Sequence, residues 1–503
     1  MITLQRPDPK VNALMGEHKG VHDGDLICPS IFAIPFRLGK RNVVLNTSTG
    51  QCIETEYFSL FESPKNITYD GSDSEMEDLV ASDYLVSCDL DETKKYLSIL
   101  SVLRRMENQK PGYIGYTILP TTACNARCAY CFEAGLKYES MSDEIVEQTI
   151  RYIKATKKED SAVSFQWFGG EPLMGEKIID RICRAMREAD INYSSSMASN
   201  GSLMTEELAA KAKEEWHLNS IQITLDGRED MYNERKNYRS FNGSPYKAVL
   251  RGIHYMLDQE IRVSIRLNVD ESNLDEMMAL VVELGSEFKD NSRISIYCHS
   301  IFADGNDFKD GENDKLYSGM DKLNEKLEEF NSTRKTPDKT KEGDYYDRSG
   351  AVKRYYCMVD SPTAGPVILP NGNLHLCEHI GGIPVVGTVF DEALIEHKSK
   401  VKKDRAVTEK CRRCGLLPVC TDFNECPTEI RDCYKENLAK EKSKLRALEN
   451  ETRIPPVNIK IDGKIIRVTE PDAKFLSKNR ESIVASYLKP EETISCAEAK
   501  RKM

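Results

Sequence analysis

The chain has 503 residues, 40% of them hydrophobic and 30% charged, which is enough for two to four packed domains of roughly 150 residues each. Its net charge of −11 lacks the basic footprint of a nucleic-acid-binding protein, and no apolar run approaches the roughly 20 residues of a membrane helix. The polar, proline-containing start does not resemble a signal peptide. We therefore expect a cytoplasmic protein with neither a nucleic-acid nor a membrane partner.

The first hundred residues predict a small mixed module. Residues 1–27 read as a flexible lead-in without a clear pattern. Within residues 28–108, two strand-like stretches flank the turn at 39–41, and two helical patterns follow them. An acidic break at 70–75 separates the helices and predicts a solvated loop.

Residues 109–305 alternate between strand and helix patterns, which indicates repeated β-α units around a parallel sheet. Six units are too few for an eight-fold barrel, so the fold class is α/β with a partial (β/α)6 barrel. The functional site is expected at the carboxyl ends of the strands. The candidate strands are Tyr113–Leu119, Val163–Phe168, Asn192–Ala198, Ser220–Leu225, Val263–Val269 and Ile294–Cys298.

The C-terminal third is divided by composition. Residues 306–350 are charged and glycine-containing, as in a linker. Residues 351–434 carry seven cysteines among many Gly and Pro residues, so bound metal is expected to help hold this cysteine-rich domain together. Residues 435–503 predict a charged helix and a tail whose segment 457–468 is a hairpin with an Asp-Gly turn.

Sixteen cysteines are about 3% of the chain, below the 8–10% of a disulfide scaffold, so metal binding or catalysis is the better interpretation. Cys124, Cys128 and Cys131 directly follow the first barrel strand. Three thiolates so close in sequence can wrap one corner of an iron–sulfur cube and leave one iron open to a ligand. A structural zinc corner is the alternative, but zinc usually takes a second cysteine pair or histidines, which are absent here.

The Cys124–Cys131 spacing at the end of a first strand resembles the signature of radical SAM enzymes. The resemblance implies a 4Fe–4S cluster on these three cysteines, with S-adenosylmethionine (SAM) bound to the fourth iron through its amine and carboxylate. Electron transfer into the sulfonium would release a 5′-deoxyadenosyl radical, which abstracts a hydrogen from the substrate. The cofactor carries the hard chemistry and the protein positions it.

Further residues fit this resemblance. Gly169-Gly170-Glu171 matches the family's GGE motif, in which the glycines allow close backbone approach and the glutamate meets the methionine amine. The remaining candidates stand at or near the ends of later strands, where ordinary strand-end capping is the alternative interpretation. By resemblance, the cofactor-binding residues are Tyr130, Gly169, Gly170, Glu171, Ser199, Asn200, Arg266 and Asn268, and Asp226 is a candidate catalytic base.

The C-terminal cysteines resemble the SPASM domain, which holds two auxiliary 4Fe–4S clusters. By that pattern, the distal cluster takes Cys411, Cys414, Cys420 and Cys433, and the proximal cluster takes Cys357, Cys377 and Cys426. The spacing before Cys426 is five residues where the family has three. The proximal cluster would then keep an open iron for a substrate thiolate, unless Cys298 supplies the fourth ligand. A zinc ribbon is the alternative for the last five cysteines, but seven cysteines exceed one tetrahedral site.

Enzymes of this kind often act on ribosomally made peptides, and many carry a winged-helix-like N-terminal module that grips the substrate's leader. The resemblance therefore implies a peptide maturase, most specifically one forming thioether crosslinks from cysteine. Its partners would be a precursor peptide with a leader and reduced flavodoxin or ferredoxin as electron donor. A formylglycine-type sulfatase maturase, a carbon–carbon crosslinker and an epimerase are alternatives within the family. A noncatalytic iron–sulfur electron carrier is the alternative from another class.

Overall fold

The computed structural model describes residues 1–5, 7–15, 20–38, 41–107, 111–131, 133–289, 291–301, 322–324, 326–327, 361–378, 385–394, 409, 411–420, 445, 457–461, 463–469, 483–484 and 491–495. The chain forms two compact units. The first comprises residues 1–106, 339–356 and 404–503, and the second comprises 107–338 and 357–403. The division differs from the predicted domain order, because the cysteine-rich stretch 351–434 is shared between both units.

The helices and strands are short and follow one another closely along the chain. The strands are β1 Ile2–Gln5, β2 Leu26–Pro29, β3 Ala33–Leu38, β4 Arg41–Asn46, β5 Gln51–Glu54, β6 Ile67–Thr68, β7 Leu85–Ser87, β8 Gly115–Ile118, β9 Val163–Trp167, β10 Tyr193–Ser199, β11 Leu218–Leu225, β12 Arg262–Val269, β13 Ile294–Ser300, β14 Ala364–Ile368, β15 Asn373–His375, β16 Gly387–Thr388, β17 Val457–Ile461, β18 Lys464–Thr469, β19 Ile483–Val484 and β20 Glu492–Ser495. The helices are α1 Pro9–Met15, α2 Phe58–Glu62, α3 Ser74–Ala81, α4 Glu92–Glu107, α5 Asp143–Thr156, α6 Glu176–Glu188, α7 Glu206–Glu214, α8 Glu229–Lys236, α9 Pro245–Asp258 and α10 Leu274–Glu287. No helix in these ranges is both long and apolar enough to cross a membrane.

The second unit is built on a nine-stranded sheet in the order β13-β12-β11-β10-β9-β8-β14-β15-β16. Strands β8 to β13 are parallel neighbours joined by helices, which confirms the predicted α/β fold with a parallel sheet. Strand β14 adds a further parallel neighbour to β8, and β15 and β16 continue the sheet antiparallel. The carboxyl ends of six consecutive strands therefore meet at one edge.

Alternation along each strand gives the sheet two different faces. In β9, Val163, Phe165 and Trp167 are buried, whereas Ser164 and Gln166 point to the other face. The apolar face packs under helices α5 to α10, whose buried residues join one continuous core. The opposite face keeps polar side chains, so chemistry on that side does not disturb the core.

Within the first unit, β1-β5-β4-β3 and β6-β2-β7 form two small sheets. Residues 1–27, which the sequence predicts to be a flexible lead-in, instead contain β1, paired antiparallel with β5, and helix α1. The sequence signal is weak there because β1 has four residues and its partner lies fifty residues away. Strands β17 and β18 form the predicted hairpin, with Gly463 at φ +83 in its turn.

Candidate active site

The three cysteines of the predicted cluster lie in the cysteine loop, residues 121–131, which leaves β8 at the edge where the strands end. The Cys124 Sγ accepts a hydrogen bond from the Ala126 amide at 3.4 Å. The Cys131 amide donates to the Cys128 carbonyl at 3.2 Å, which closes a turn between the second and third cysteines. Local hydrogen bonds therefore order the chain around the three cysteines.

Burial raises the pKa of the Cys124 thiol to about 11, and the neighbouring Glu171, Cys128 and Cys131 push it in the same direction. Such thiols bind metal only as thiolates, so bound iron has to supply the compensating charge. Among the described residues, no three Cys, His, Asp or Glu side chains gather tightly enough to share one metal ion. A 4Fe–4S cluster takes each cysteine on a different iron, so separated thiols on one loop fit a cluster better than a single ion.

The two glycines of the GGE motif fit tightly beneath the cysteine loop. A Cβ on Gly169 would lie 2.4 Å from the Thr121 carbonyl oxygen, and φ is +110 there. A Cβ on Gly170 would lie 2.4 Å from the carbonyl oxygens of both Thr122 and Ala123. The Glu171 amide then donates to the Ala123 carbonyl at 2.9 Å. Only glycine allows the end of β9 to approach the root of the cysteine loop this closely.

Glu171 is fully buried and ties two strand ends together. Its carboxylate accepts hydrogen bonds from the Ser199 hydroxyl at 2.7 Å, the Asn200 amide at 2.8 Å and the Leu173 amide at 3.0 Å. Burial raises the pKa of this carboxyl group, and the three donors act against that shift. The sequence-predicted residues Glu171, Ser199 and Asn200 are thus brought into direct contact.

Asn200 extends this contact to the cysteine loop. Its Nδ2 donates to the Asn125 Oδ1 at 2.8 Å and lies 3.9 Å from the Cys124 Sγ. The Asn125 side chain in turn donates to the Ser202 hydroxyl at 2.9 Å. The end of β10 therefore stands directly beside the first cysteine.

A second polar cluster, centred on Lys236, anchors the other half of the cysteine loop. The Lys236 side chain is 3% exposed. The Lys236 Nζ donates to the Thr224 hydroxyl at 2.7 Å and the Tyr130 hydroxyl at 2.9 Å, and lies 3.1 Å from the Asp226 Oδ2. Tyr130 also donates to Asp226, and the Asn268 amide donates to the Asp226 Oδ1 at 3.0 Å. Tyr130, Asp226 and Asn268, which the sequence places in three different segments, meet at this one point.

The charges in this cluster stabilise one another. Burial works to lower the pKa of Lys236, but the Asp226 carboxylate outweighs it and raises that pKa well above its ordinary value. Burial raises the pKa of Tyr130, with Asp226 adding to the shift and Lys236 opposing it. The lysine therefore stays protonated, and the tyrosine stays a neutral hydrogen-bond donor.

Helix α8, which ends at Lys236, also holds the cysteine loop through its backbone. The Arg127 amide donates to the Lys236 carbonyl at 2.9 Å, and the Arg239 amide donates to the Asn125 carbonyl at 2.8 Å. The Cys128 Sγ lies 4.0 Å from the same Lys236 carbonyl. Sequence reasoning missed Lys236, although its place ten residues after Asp226 at the end of a short helix is visible in the chain.

The other predicted site residues are not part of the hydrogen-bonded centre described above. Arg266 is two residues before Asn268 on β12 and pairs in register with Thr224, so it lies beside the cluster around Lys236. The Cys298 thiol donates to the Asn324 Oδ1 at 3.0 Å. Cys377 follows β15, and its thiol lies 3.8 Å from a Glu378 carboxylate oxygen.

The auxiliary-cluster cysteines are described only in part. Cys411, Cys414 and Cys420 lie in one compact turn, where the Cys414 amide donates to the Cys411 carbonyl at 3.1 Å. Cys357, Cys426 and Cys433 lie outside the described residues. Their assignment to auxiliary clusters stays a prediction.

Residues 118–284 match the model of the radical SAM superfamily. The serine-type anaerobic sulfatase-maturating enzyme of Klebsiella pneumoniae is 27% identical over 174 residues, which cover 33% of this chain and 42% of that protein. Fe-coproporphyrin III synthase of Methanosarcina barkeri is 27% identical over 183 residues, covering 36% and 43%. An uncharacterized protein of Methanocaldococcus jannaschii is 24% identical over 299 residues, covering 58% and 92%. The chain thus spans less than half the length of the first two and most of the third.

Two solved structures resemble the chain. Native anSMEcpe with bound AdoMet has a TM-score of 0.48 at 18% identity and covers 67% of this chain and 99% of its own. SuiB of Streptococcus suis bound to S-adenosylmethionine has a TM-score of 0.45 at 16% identity and covers 77% and 93%. The superfamily match itself includes the cysteine loop, the glycine pair, Glu171 and the cluster around Lys236. Residues 118–284 of the chain therefore form a radical SAM domain.

Proposed function

We propose that this protein is a radical SAM maturase that modifies a ribosomally made peptide, most specifically by forming a thioether from cysteine. One observation supports the radical chemistry. The three-cysteine loop is hydrogen-bonded to the Glu171 amide on one side and to the Lys236 carbonyl on the other. When bound, a 4Fe–4S cluster and SAM supply a 5′-deoxyadenosyl radical that removes a carbon-bound hydrogen. Cys124, Cys128 and Cys131 would hold the cluster.

The surrounding residues support a rigid cofactor site. Glu171, Ser199 and Asn200 form a hydrogen-bonded edge beside Cys124, and this edge would hold SAM. Asn200 directs an amide N–H group toward the Cys124 sulfur, a contact that favours the thiolate. Fixing such ligands in advance lowers the entropy cost of assembling the reacting groups.

Asp226 has a supporting role in this proposal. Its carboxylate is fully buried and engaged by Lys236, Tyr130 and Asn268. Those contacts support a positioning residue that fixes the cysteine loop. The catalytic-base role that the sequence predicts for Asp226 stays a prediction.

A peptide substrate is supported by features outside the radical SAM domain. The first unit contains a small sheet in which β3 is an edge strand, and an extended leader would add to such a sheet as a further strand. The C-terminal cysteine series supports auxiliary clusters that would bind a substrate sulfur and accept the surplus electron. Thioether formation joins that sulfur to the carbon that has lost its hydrogen.

The test is anaerobic co-expression with a short cysteine-bearing peptide encoded beside the gene, followed by mass analysis. We expect a loss of two hydrogens per site, one from carbon and one from sulfur, and cysteines that no longer react with an alkylating reagent. The matched control is the variant Cys124→Ala, which should leave the peptide unmodified.

Other results would identify other chemistry. The same mass loss with alkylatable cysteines would indicate carbon–carbon crosslinking. A product that reacts with an aldehyde probe would indicate formylglycine, the alternative suggested by the sulfatase-maturating relative. Deuterium uptake from heavy water without a mass change in ordinary water would indicate epimerisation. SAM cleavage without any change in the peptide would contradict the substrate proposed here.

A further inference from the structure

The inner face of the parallel sheet, opposite the helices, is lined with polar side chains. Its exposed or partly exposed positions alternate with buried apolar residues along each strand. On the central strands, these polar positions include Gln166, Ser196, Gln222, Thr224, Ser264 and Arg266. A face built this way is suited to a polar ligand and not to packing against another layer of the core.

Arg266 lies in the middle of this face. It stands opposite Thr224 on β11 and Tyr297 on β13. Its Nε is buried and has no hydrogen-bond acceptor among the described residues. A guanidinium carries five N–H donors, and leaving a buried donor without an acceptor is destabilising. A partly buried guanidinium on a polar face is suited to a ligand that accepts its hydrogen bonds.

The neighbours of Arg266 leave donors facing the same space. The Tyr297 hydroxyl donates to the Gln222 Oε1 at 2.7 Å. That bond uses the amide oxygen of Gln222, and the amide nitrogen of the same side chain is a donor group. Burial raises the pKa of Tyr297, and the Arg266 charge acts against the shift, as expected for close neighbours. Tyr297 is 39% exposed, so a ligand can reach this group of side chains.

Arg266 borders the cluster around Lys236 through its register partner Thr224 and lies deeper on the inner face than the cysteine loop. Asn268, two residues nearer the strand end, is the residue of β12 that reaches the cysteine loop, with its Nδ2 3.4 Å from the Tyr130 hydroxyl. Two residues of a strand span roughly 6.6 Å, so Arg266 lies about that much deeper on the inner face. The resemblance assigns the SAM carboxylate to the open iron at the cysteine loop. The resemblance also implies a cofactor-binding role for Arg266, but its depth on the inner face favours a second molecule as its ligand.

We propose that Arg266, with Gln222 and Tyr297, binds a carboxylate of the peptide substrate, donated by an Asp or Glu side chain near the modified residue. The inference rests on the proposed function. An arginine fork binds a carboxylate with two parallel hydrogen bonds, which fixes orientation as well as position. Binding at this depth would hold the reacting carbon of the peptide toward the cysteine loop.

The experiment measures KM and kcat for modification of the cysteine-bearing peptide encoded beside the gene, using reconstituted full-length enzyme. The enzyme variants are Arg266→Gln, which removes the charge and the fork, and Arg266→Lys, which keeps the charge. The matched control is Arg262→Gln, because Arg262 begins the same strand but is exposed. Each acidic residue of the peptide is separately changed to its amide, and one peptide carries an amidated C-terminus. The SAM dissociation constant and the iron–sulfur absorbance are measured for every enzyme variant.

We expect Arg266→Gln to raise the peptide KM roughly 10- to 100-fold, as for loss of hydrogen bonds to a charged group, with SAM affinity and absorbance unchanged. The peptide KM of Arg266→Lys should lie between those of the wild type and Arg266→Gln, and the KM of Arg262→Gln should match the wild type. Changing one acidic peptide residue to its amide should raise KM equally for the wild type and have no further effect on Arg266→Gln.

Three results would overturn the inference. Weaker SAM binding by Arg266→Gln with an unchanged peptide KM would assign Arg266 to the cofactor. An unchanged KM for every acidic replacement, with loss only for the amidated C-terminus, would assign it to the terminal carboxylate. An unchanged peptide KM, kcat and SAM dissociation constant in Arg266→Gln would show that Arg266 binds neither molecule. If instead the wild-type enzyme cleaves SAM and leaves the peptide unmodified, the proposed function itself fails, which is a separate result.

Discussion

At the scale of single residues, the position of the cysteine loop depends on Lys236. This cation is buried beside Asp226 and donates to Tyr130 and Thr224, so all three of its N–H groups are used inside the protein. A buried ion pair is weak evidence for stability, but removing one partner leaves an uncompensated charge. We infer that Lys236 fixes the cysteine loop against strand β11.

We predict that Lys236→Met destabilises the second unit by about 3–5 kcal/mol, because Asp226 is left charged and buried. Urea unfolding of the cluster-free protein measures the loss. The matched control is Lys247→Met, whose lysine is 62% exposed beside Glu229 and should cost about 1 kcal/mol or less. Equal effects of the two variants would contradict the role given to Lys236.

Adding Asp226→Asn to Lys236→Met should recover part of the lost stability, since the unpaired charge is then gone. The double variant should still bind less iron than the wild type after reconstitution, because Tyr130 keeps neither of its charged partners. Full iron binding by the double variant would show that these contacts do not position the loop.

At the scale of elements, the site is the junction of β9, the cysteine loop and helix α8. The end of β9 approaches the loop so closely that only glycine fits at Gly169 and Gly170. From the other side, the Lys236 carbonyl at the end of α8 accepts from the Arg127 amide. Backbone contacts of this kind fix a loop independently of the side chains that it carries.

We predict that Gly170→Ala lowers the iron content after reconstitution, because its Cβ would lie 2.4 Å from two loop carbonyl oxygens and must displace the loop. The control is Gly115→Ala on β8, where the nearest atom to a Cβ is the Ser164 carbonyl oxygen at 3.9 Å. Iron analysis and SAM-cleavage rates measure both variants. Normal iron binding by Gly170→Ala would show that the loop tolerates displacement.

The β-α units could be predicted from the sequence because each strand and helix carries a regular apolar pattern over several residues. The candidate strand at 294–298 extends to Ser300, and that at 113–119 is confirmed only over Gly115–Ile118. Lys236 could not be predicted, since a lysine ending a charged helix is normally solvated and its burial depends on contacts with distant segments. The GGE glycines were predicted for close approach, and the structure gives the cysteine loop as the surface that they approach.

At the scale of the whole molecule, the chain contains the second unit with its radical SAM domain and the first unit, which holds the N-terminal module and part of the cysteine series. If all three predicted clusters form, the anaerobically purified protein should hold about 12 iron atoms per chain. Replacing Cys124, Cys128 and Cys131 with alanine should remove about four of them. Cys183→Ala, which alters a fully buried cysteine outside the predicted ligands, should remove none.

An iron content of about four in the wild type, lost entirely in the triple variant, would contradict the auxiliary clusters and leave the radical SAM cluster intact. An unchanged iron content in the triple variant would contradict the cysteine-loop assignment.

The proposed function requires that the radical formed at the cysteine loop remove a carbon-bound hydrogen from a peptide. The most direct test supplies the enzyme in ordinary water with the co-encoded peptide, deuterated at its carbon positions, and measures the mass of the 5′-deoxyadenosine released. We predict one added deuterium per molecule, since that hydrogen comes from peptide carbon. Release of unlabelled 5′-deoxyadenosine at the same rate with and without peptide would contradict the claim.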